Sequence, residues 1–303
     1  MFNHLIDIER LSTEEISDII STAQAFKKDT ITSCAKGKNA CLMFFENSTR
    51  TRCSFELAAK KLKMHVLNFD IGTSSFSKGE SIKDTFENLY FIGVDAVILR
   101  HSENKIIDRI LENISYPLKF VNAGDGNCAH PTQALLDYMT MLEKIGSVEG
   151  KKIVIAGDVA HSRVAKSNLA LLKRFGAEVH FCAPEYFMPE NPEKFNVIWH
   201  DNLEEAISGA DVVMLLRVQN ERLDSETVKK CGNYSDKYKL SSEILNKYAP
   251  NAVLMHPGPV NREVEITSEL LDSTKGVTIL EQARNGLFVR MAVLNKMFGE
   301  KDE

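Results

Sequence analysis

The chain has 303 residues, enough for two domains, and its 44% hydrophobic and 26% charged residues are typical of a soluble globular protein. A net charge of −5 without a long basic block argues against a nucleic-acid partner. No stretch approaches the roughly 20 apolar residues that a membrane span needs. The N-terminus lacks a signal-peptide core, and the cysteines lack zinc-site spacing. We therefore expect a cytoplasmic protein with free thiols, no metal and no cofactor.

Alternating helical and strand patterns occupy the first half of the chain. Ser12 and Glu15 form a capping box, and apolar residues at helical spacing follow as far as Phe26. The later elements are predicted as a strand at 40–45, a helix to 64, a strand at 65–71, a polar loop at 72–81, a helix at 84–93, a strand at 95–99, a helix at 105–113, a strand at 120–123 and a helix at 134–145.

The alternation begins again after a junction at 146–150. Strands are predicted at 152–156, 179–183, 197–199, 211–216 and 252–255, helices at 164–175, 203–208, 242–248 and 282–298, and an irregular charged stretch at 225–238. Strands that alternate with helices form parallel sheets. We therefore predict an α/β protein of two domains, each a mostly parallel sheet with helices on both faces, with the active site in the cleft between them.

The stretch at 44–56 lies where a predicted strand ends and a helix begins. A helix N-terminus carries unpaired N–H groups and a positive dipole end, so it attracts anions. Ser48, Thr49 and Thr51 add hydroxyl donors, and Arg50 adds a guanidinium suited to phosphate. The alternative is a plain N-cap followed by exposed arginines. The stretch has no glycine-rich phosphate loop, so it is not a nucleotide P-loop.

Other polar side chains also follow predicted strands, where ligands of open α/β sheets bind. In the first half these are Arg100, His130 and Gln133. In the second half they are Arg163, Arg217 with Gln219, and the residues 256–259. One arginine at a strand end is commonly a solvated loop residue, but several such sites together indicate a locally positive binding region in an acidic protein.

Two motifs of the first half resemble signatures of the aspartate/ornithine carbamoyltransferase family. They are Ser-Thr-Arg-Thr-Arg followed by Ser-Phe-Glu at 48–56, and His-Pro-Thr-Gln-Ala-Leu-Leu-Asp at 130–137. In the second half, residues 157–164, 216–222 and 255–262 resemble the aspartate branch of the family. The His-Cys-Leu-Pro and Asp/Ser-Met-Gly elements of the ornithine branch are not present. The resemblance extends from about Leu5 to Phe298.

The resemblance implies transfer of a carbamoyl group from carbamoyl phosphate to L-aspartate, an early step of de novo pyrimidine biosynthesis. The carbamoyl phosphate ligands that it implies are Ser48, Thr49, Arg50, Thr51, Arg100, His130, Gln133, Gly258 and Pro259. Four of them are expected to act in catalysis: Arg50 on the phosphate, and Thr51, Arg100 and His130 on the developing oxyanion. The aspartate ligands that it implies are Lys78, Arg163, Arg217 and Gln219.

The family resemblance also implies a domain division and an assembly. The last helix is expected to return to the first domain, which gives 1–147 with 282–303 for carbamoyl phosphate and 148–281 for aspartate. The loop at 72–81 is expected to bring Ser74 and Lys78 into a neighbouring subunit's site, in a homotrimer. A regulatory chain or a dihydroorotase is a possible further partner.

Other interpretations stay open. One is a carbamoyltransferase for another amino acid acceptor, although Arg217-Val218-Gln219 does not suit a cationic amine. A Rossmann-type oxidoreductase would show Gly-x-Gly-x-x-Gly after the strand at 152–156, and the chain instead has Asp158, His161 and Arg163 there. Asp158 is interpreted as a strand-end cap and His256 as structural. A binding module without activity would have lost at least one anion ligand, and all are present.

Overall fold

The structure is a computed structural model, which describes residues 2–70, 79–218 and 234–299. The chain divides into two compact units: Met1–Leu136 with Arg284–Glu303, called the first unit, and Asp137–Ala283, called the second unit. Both divisions fall inside a long helix. The boundaries at 147/148 and 281/282 that the family resemblance implies stay a prediction.

The first unit is built on a parallel sheet of five strands in the order β1-β5-β4-β2-β3. The strands are β1 (His4–Leu5), β2 (Asn39–Phe44), β3 (His65–Phe69), β4 (Ala96–His101) and β5 (Lys119–Asp125). The inner residues of β2 and the first four of β4 are all buried, without alternation. This continuous burial is the pattern of parallel strands that helices cover on both faces.

The helices of the first unit are α1 (Thr13–Lys27), α2 (Thr49–Lys61), α3 (Ile82–Phe91), α4 (Ile106–Leu111) and the beginning of α5 (Pro131–Ile145). The predicted capping box of α1 is confirmed. The Ser12 Oγ atom accepts from the Glu15 N–H at 3.1 Å, and Glu15 Oε2 accepts from the Ser12 N–H at 2.8 Å. A core of apolar side chains from α3, α4 and the sheet includes Phe86, Ile110 and Phe120.

The second unit contains another parallel sheet of five strands, in the order β10-β9-β6-β7-β8. The strands are β6 (Lys152–Ala156), β7 (Glu178–Cys182), β8 (Ile198–His200), β9 (Val212–Leu215) and β10 (Val253–Met255). The helices are α6 (Arg163–Arg174), α7 (Leu203–Ile207), α8 (Tyr234–Tyr238), α9 (Ser242–Tyr248), α10 (Ser268–Leu271) and α11 (Val277–Phe298). The predicted class, two domains with parallel sheets and flanking helices, is therefore confirmed.

The later part of α11 belongs to the first unit, from Arg284 onward. Lys27 Nζ donates to Asn285 Oδ1 at 2.8 Å, and Lys119 Nζ donates to the Met297 carbonyl at 2.6 Å. Val289, Val293 and Leu294 of this helix are fully buried. The last helix therefore packs on the sheet and on α1 of the first unit.

Each sheet has one place where successive strands are added on opposite sides. In the first unit β2 lies between β3 and β4, and in the second unit β6 lies between β7 and β9. Crevices at such switch points, outside the carboxyl ends of the strands, are where open α/β sheets bind ligands.

Several local features differ from the predictions. β1 was not expected, because a strand of two residues has no periodicity and forms only by pairing with β5. Residues 234–238 form a helix within the stretch predicted as irregular, stabilised by the stacked rings of Tyr234 and Tyr238. The last helix begins at Val277, before the predicted start at 282.

Candidate active site

The N-terminus of α2 follows β2 after a short loop. Ser48 occupies the N-cap position in an extended conformation, and its side chain makes no capping hydrogen bond. The serines that precede α1, α3 and α6 do cap their helices. Thr49 and Arg50 are exposed, and Thr51 is 6% exposed. Because Ser48 does not use its hydroxyl on its own helix, that hydroxyl and the first-turn N–H groups suit an anion.

Arg100 lies at the end of β4, beside the loop that leads into α2. It pairs in register with Phe44, and its carbonyl accepts from the Phe45 N–H at 2.8 Å. Its Nη1 atom donates to the Ala123 carbonyl of β5 at 3.3 Å, and its Nε atom is 3.2 Å from Glu46 Oε2. These contacts hold the guanidinium at the ends of three neighbouring strands.

His130 and Gln133 lie at the start of α5, beyond the end of β5, and both are buried. The His130 carbonyl accepts from the Gln133 N–H at 3.0 Å, which begins the first turn of the helix. All the carbamoyl phosphate ligands predicted for the first unit therefore lie in the segment after β2, at the end of β4 or in the segment after β5. These strands are neighbours in the sheet order.

Two buried residues that support this region were missed from the sequence. Asp125 accepts from the Ala129 N–H at 2.9 Å and from the Lys105 N–H at 2.8 Å, and so shapes the loop before His130. Arg290 of α11 donates to Ser54 Oγ at 2.7 Å, and the Ser54 hydroxyl is 2.6 Å from the Arg50 carbonyl. The sequence signal for Arg290 was its position as a single arginine within an apolar stretch of the last helix.

In the second unit Arg163 is the first residue of α6, after β6, and is 6% exposed. Ser162 caps the helix by accepting from the Ala165 N–H at 3.1 Å. Asp158 is fully buried, and its Oδ1 atom accepts from the His161 N–H at 3.2 Å and lies 2.8 Å from His161 Nδ1. These contacts support the interpretation of Asp158 as the residue that shapes this turn.

Arg217 follows the end of β9, which pairs with β6. The Leu216 N–H donates to the Ala156 carbonyl at 2.7 Å, so the ends of the two strands stay paired. Gly157 lies against this contact, because a Cβ atom at position 157 would stand 2.7 Å from the Leu216 carbonyl oxygen. Arg163 and Arg217 therefore follow adjacent strands.

The loop at 256–259 follows β10, the neighbour of β9. His256 is 1% exposed, and its Nδ1 atom accepts from the Gly258 N–H at 2.8 Å. Its backbone N–H donates to Gln282 Oε1 at 3.0 Å. These contacts agree with a structural role for His256. Two predicted aspartate ligands, Lys78 and Gln219, lie outside the described residues.

Burial shifts the ionisation of several groups in the two sheets. It lowers the pKa of His101, the last residue of β4, against the opposing effect of Glu103. Burial raises the pKa of the Cys41 and Cys182 thiols to about 12, so neither is a thiolate nucleophile at neutral pH. Within the described residues, no three His, Cys, Asp or Glu side chains are grouped as metal ligands. No described helix is long and apolar enough to cross a membrane.

Comparison with known proteins assigns the two halves of the chain. A model of the aspartate/ornithine carbamoyltransferase carbamoyl-P binding domain matches residues 3–143, and a model of the Asp/Orn binding domain matches residues 149–297. The aspartate carbamoyltransferase catalytic subunit of Syntrophotalea carbinolica is 41% identical over 301 residues, which cover 98% of this chain and 95% of the relative.

Solved structures agree with this assignment. Aspartate transcarbamoylase from Trypanosoma cruzi, in complex with carbamoyl phosphate and aspartate, has a TM-score of 0.85 at 28% identity and covers 96% of this chain and 95% of its own. Ornithine carbamoyltransferase from Pyrococcus furiosus has a TM-score of 0.85 at 27% identity, with 98% and 97% covered. The fold is thus that of a carbamoyl-transferring enzyme class. The chain belongs to the aspartate/ornithine carbamoyltransferase family.

Proposed function

We propose that this chain transfers the carbamoyl group of carbamoyl phosphate to the amino group of L-aspartate, giving N-carbamoyl-L-aspartate and phosphate. The observation that carries the proposal is the 41% identity to an aspartate carbamoyltransferase catalytic subunit over 98% of the chain. The reaction is an early step of de novo pyrimidine biosynthesis, which takes place in the cytoplasm.

The first unit binds carbamoyl phosphate in this proposal. The phosphate dianion is held by Arg50 and by the hydroxyls of Ser48, Thr49 and Thr51 at the start of α2. The exposed positions of Thr49 and Arg50 and the unused hydroxyl of Ser48 support this role. The helix dipole and the guanidinium both favour a negative ligand.

The carbonyl oxygen of the substrate becomes negatively charged when the amine attacks. Thr51, Arg100 and His130 donate hydrogen bonds to this oxygen. Their placement at three neighbouring strand ends of one sheet supports the assignment. Donors that are fixed before the reaction stabilise the tetrahedral transition state without further reorganisation. Gln133 and the carbonyls of Gly258 and Pro259 accept from the carbamoyl –NH₂ group.

The second unit binds L-aspartate. Arg163 and Arg217 follow adjacent strands and pair with the two carboxylates of the acceptor. Lys78 and Gln219 complete the aspartate ligands in this proposal. A second carboxylate suits these arginines, whereas the ammonium group of ornithine would be repelled by them.

The chemical step is a direct transfer. The uncharged amine of aspartate attacks the carbonyl carbon, and the C–N bond forms as the carbonyl π electrons move to the oxygen. The tetrahedral intermediate then expels phosphate, which takes the amine proton as it leaves. Catalysis therefore rests on orientation and on electrostatic stabilisation, with no covalent enzyme intermediate.

The assembly in this proposal is a homotrimer, in which the loop at 72–81 supplies Lys78 to the neighbouring subunit's site. The support is the family resemblance of that loop, with Ser74 and Lys78 at the matching positions. A heterologous contact that closes after three copies gives such a ring. A regulatory chain or a dihydroorotase is a further partner that the family resemblance suggests.

The test is an assay of the purified chain with carbamoyl phosphate and a panel of L-aspartate, L-glutamate and L-ornithine. Phosphate release and the mass of the carbamoylated product are both measured. We expect one product, N-carbamoyl-L-aspartate, and no turnover of ornithine. Turnover of ornithine in preference to aspartate would refute the proposed acceptor, and no carbamoyl transfer to any amine would refute the activity.

A further inference from the structure

We propose that Glu265 is a positioning residue, which holds the Arg217 segment (residues 217–218) and the loop at 256–261 in one fixed arrangement for substrate binding. The inference rests on the proposed function. Both segments belong to the second unit, and each carries proposed substrate ligands. Glu265 itself is fully buried and is not a proposed substrate ligand.

The two carboxylate oxygens of Glu265 divide their contacts between the segments. Oε1 accepts from the Val218 N–H at 2.8 Å and from Asn261 Nδ2 at 2.9 Å. Oε2 accepts from the Asn261 N–H at 2.8 Å. Asn261 Nδ2 also donates to the Val218 carbonyl at 3.2 Å. Glu265 and Asn261 therefore bind both backbone polar groups of the residue next to Arg217.

His256 extends this arrangement to the loop after β10. Its Nε2 atom lies 3.8 Å from Glu265 Oε2, and its Nδ1 atom accepts from the Gly258 N–H at 2.8 Å. Because Nδ1 is an acceptor, the neutral ring carries its proton on Nε2, which faces the Glu265 carboxylate. The carboxylate therefore lies beside this N–H without hydrogen-bonding to it, while the other ring nitrogen holds Gly258.

The far side of His256 is fixed by buried amide groups. Its backbone N–H donates to Gln282 Oε1 at 3.0 Å, and Gln282 Nε2 donates to Asp137 Oδ1 at 2.6 Å. Asn168 Nδ2 donates to Asp137 Oδ2 at 2.8 Å. The loop is therefore anchored on one side to α5 and α6 and on the other side to Glu265.

A carboxylate is required at this place for a chemical reason. Buried backbone N–H groups need acceptors, and two of them approach from different segments. A carboxylate offers an acceptor oxygen to each side, whereas a glutamine side chain offers one oxygen and one NH₂ group. Substitution by glutamine keeps the volume but leaves one N–H facing a donor.

The first experiment compares Glu265→Gln with the matched control Glu263→Gln. Glu263 lies on the same loop, is exposed, and accepts from the Ser268 N–H at 2.7 Å. For Glu265→Gln we expect the KM for aspartate to rise about tenfold and the KM for carbamoyl phosphate to rise only about threefold. The difference is expected because Arg217 gives aspartate a charge-assisted pair, whereas Gly258 and Pro259 give carbamoyl phosphate two neutral carbonyl contacts. Glu263→Gln is expected to keep both constants. An unchanged aspartate KM in folded Glu265→Gln would overturn the inference.

The second experiment uses the milder variant Asn261→Ala, so that poor folding of Glu265→Gln leaves the inference testable. Asn261 is half-buried, and its loss removes the link to the Val218 carbonyl. We expect a severalfold rise in aspartate KM. The double variant is expected to resemble Glu265→Gln, because both residues act on the same segment. Fully additive effects, or equal losses for both substrates, would contradict a positioning role.

The two proposals fail differently in these experiments. Without activity of the wild-type chain on aspartate, the proposed function itself is wrong. With wild-type activity present, the aspartate KM values of Asn261→Ala and Glu265→Gln decide the positioning role alone.

Discussion

At the scale of the residue, Arg50 and Arg52 provide a matched pair in the first turns of α2. Both are exposed. Arg52 Nη2 lies 3.3 Å from Asn68 Oδ1 of strand β3. Only Arg50 is proposed to bind the phosphate. The two substitutions to alanine therefore separate phosphate binding from a general loss of positive charge.

Arg50→Ala is expected to lower kcat by about 100- to 1000-fold, because the transition state loses a fixed positive group. The measurement is steady-state phosphate release at saturating substrates, with Arg52→Ala as the control. We expect Arg52→Ala to stay close to wild type. Near-normal turnover of Arg50→Ala would be evidence against its assignment to the phosphate.

Arg217→Ala is expected to raise the KM for aspartate far more than the KM for carbamoyl phosphate, since one acceptor carboxylate loses a charge-assisted pair. Arg262→Ala serves as the control, because Arg262 is exposed and its guanidinium forms a surface ion pair with Asp272 at 2.7 Å. Initial rates over a grid of both substrates give the two constants. Equal losses for both substrates in Arg217→Ala would indicate a folding defect or a wrong assignment.

At the scale of the element, the ends of β6 and β9 approach each other at Gly157. This residue has φ 130°, and a Cβ atom would stand 2.7 Å from the Leu216 carbonyl oxygen. Gly209 also has a positive φ, 68°, but a Cβ atom there would meet no atom within 4 Å. The pair therefore separates backbone strain from a steric clash.

Gly157→Ala is expected to lower the free energy of unfolding by at least about 2 kcal/mol, because strain and overpacking act together. Gly209→Ala is expected to cost about 1 kcal/mol, from its left-handed backbone alone. Urea unfolding followed by circular dichroism measures both. An equal loss of unfolding free energy in the two variants would contradict the steric clash, because it would mean that the ends of β6 and β9 move apart easily. In that case the KM of Gly157→Ala for aspartate should also be unchanged.

A pair of histidines links β7 to β8. His180 Nδ1 lies 3.0 Å from His200 Nε2, and the rings stack. Burial is the main cause that lowers the pKa of both groups, and the nearby Lys152 lowers them further. The folded protein therefore resists their protonation, while the unfolded chain protonates near the ordinary histidine pKa of about 6.5.

The stability contributed by these neutral histidines is present above pH 6.5 and is lost as the pH falls from there towards their lowered folded-state pKa values. His180→Gln removes one of the titrating groups. We expect its free energy of unfolding to fall less steeply between about pH 7 and 5 than that of wild type. Urea unfolding series at several pH values test this, and parallel slopes for the two proteins would contradict it.

At the scale of the whole molecule, the proposed trimer makes a prediction about mixed assemblies. Arg50→Ala and Lys78→Ala chains are each expected to be nearly inactive. After the two are dissociated and reassembled together, some sites would combine an intact Arg50 with an intact Lys78 from the neighbouring chain. Part of the activity should then return.

Native mass spectrometry of a tagged and an untagged variant shows whether mixed trimers form, and each variant reassembled alone is the control. Mixed trimers without any recovered activity would show that Lys78 acts within its own chain or not at all. A chain that stays monomeric at assay concentration and is fully active would exclude the shared site.

The helices, the strands and the division into two α/β domains could be predicted from the sequence. The capping box at Ser12 and Glu15, the buried runs of β2 and β4 and the return of alternation after 150 predict two parallel α/β domains. These signals are visible because they rest on interactions between residues that are close along the chain. The positions of Arg100, Arg163 and Arg217 at strand ends follow in the same way.

Only the tertiary structure decided which strand ends are neighbours and which buried groups support them. The order β5-β4-β2 groups Thr51, Arg100 and His130, and no local pattern contains that order. The contact of Arg290 with Ser54 spans 236 residues, and that of Glu265 with Val218 spans 47. Folding removes water from these buried polar groups, and each must then find a hydrogen-bond partner within the protein. Which partner it meets depends on the tertiary packing and cannot be read from the spacing of residue types.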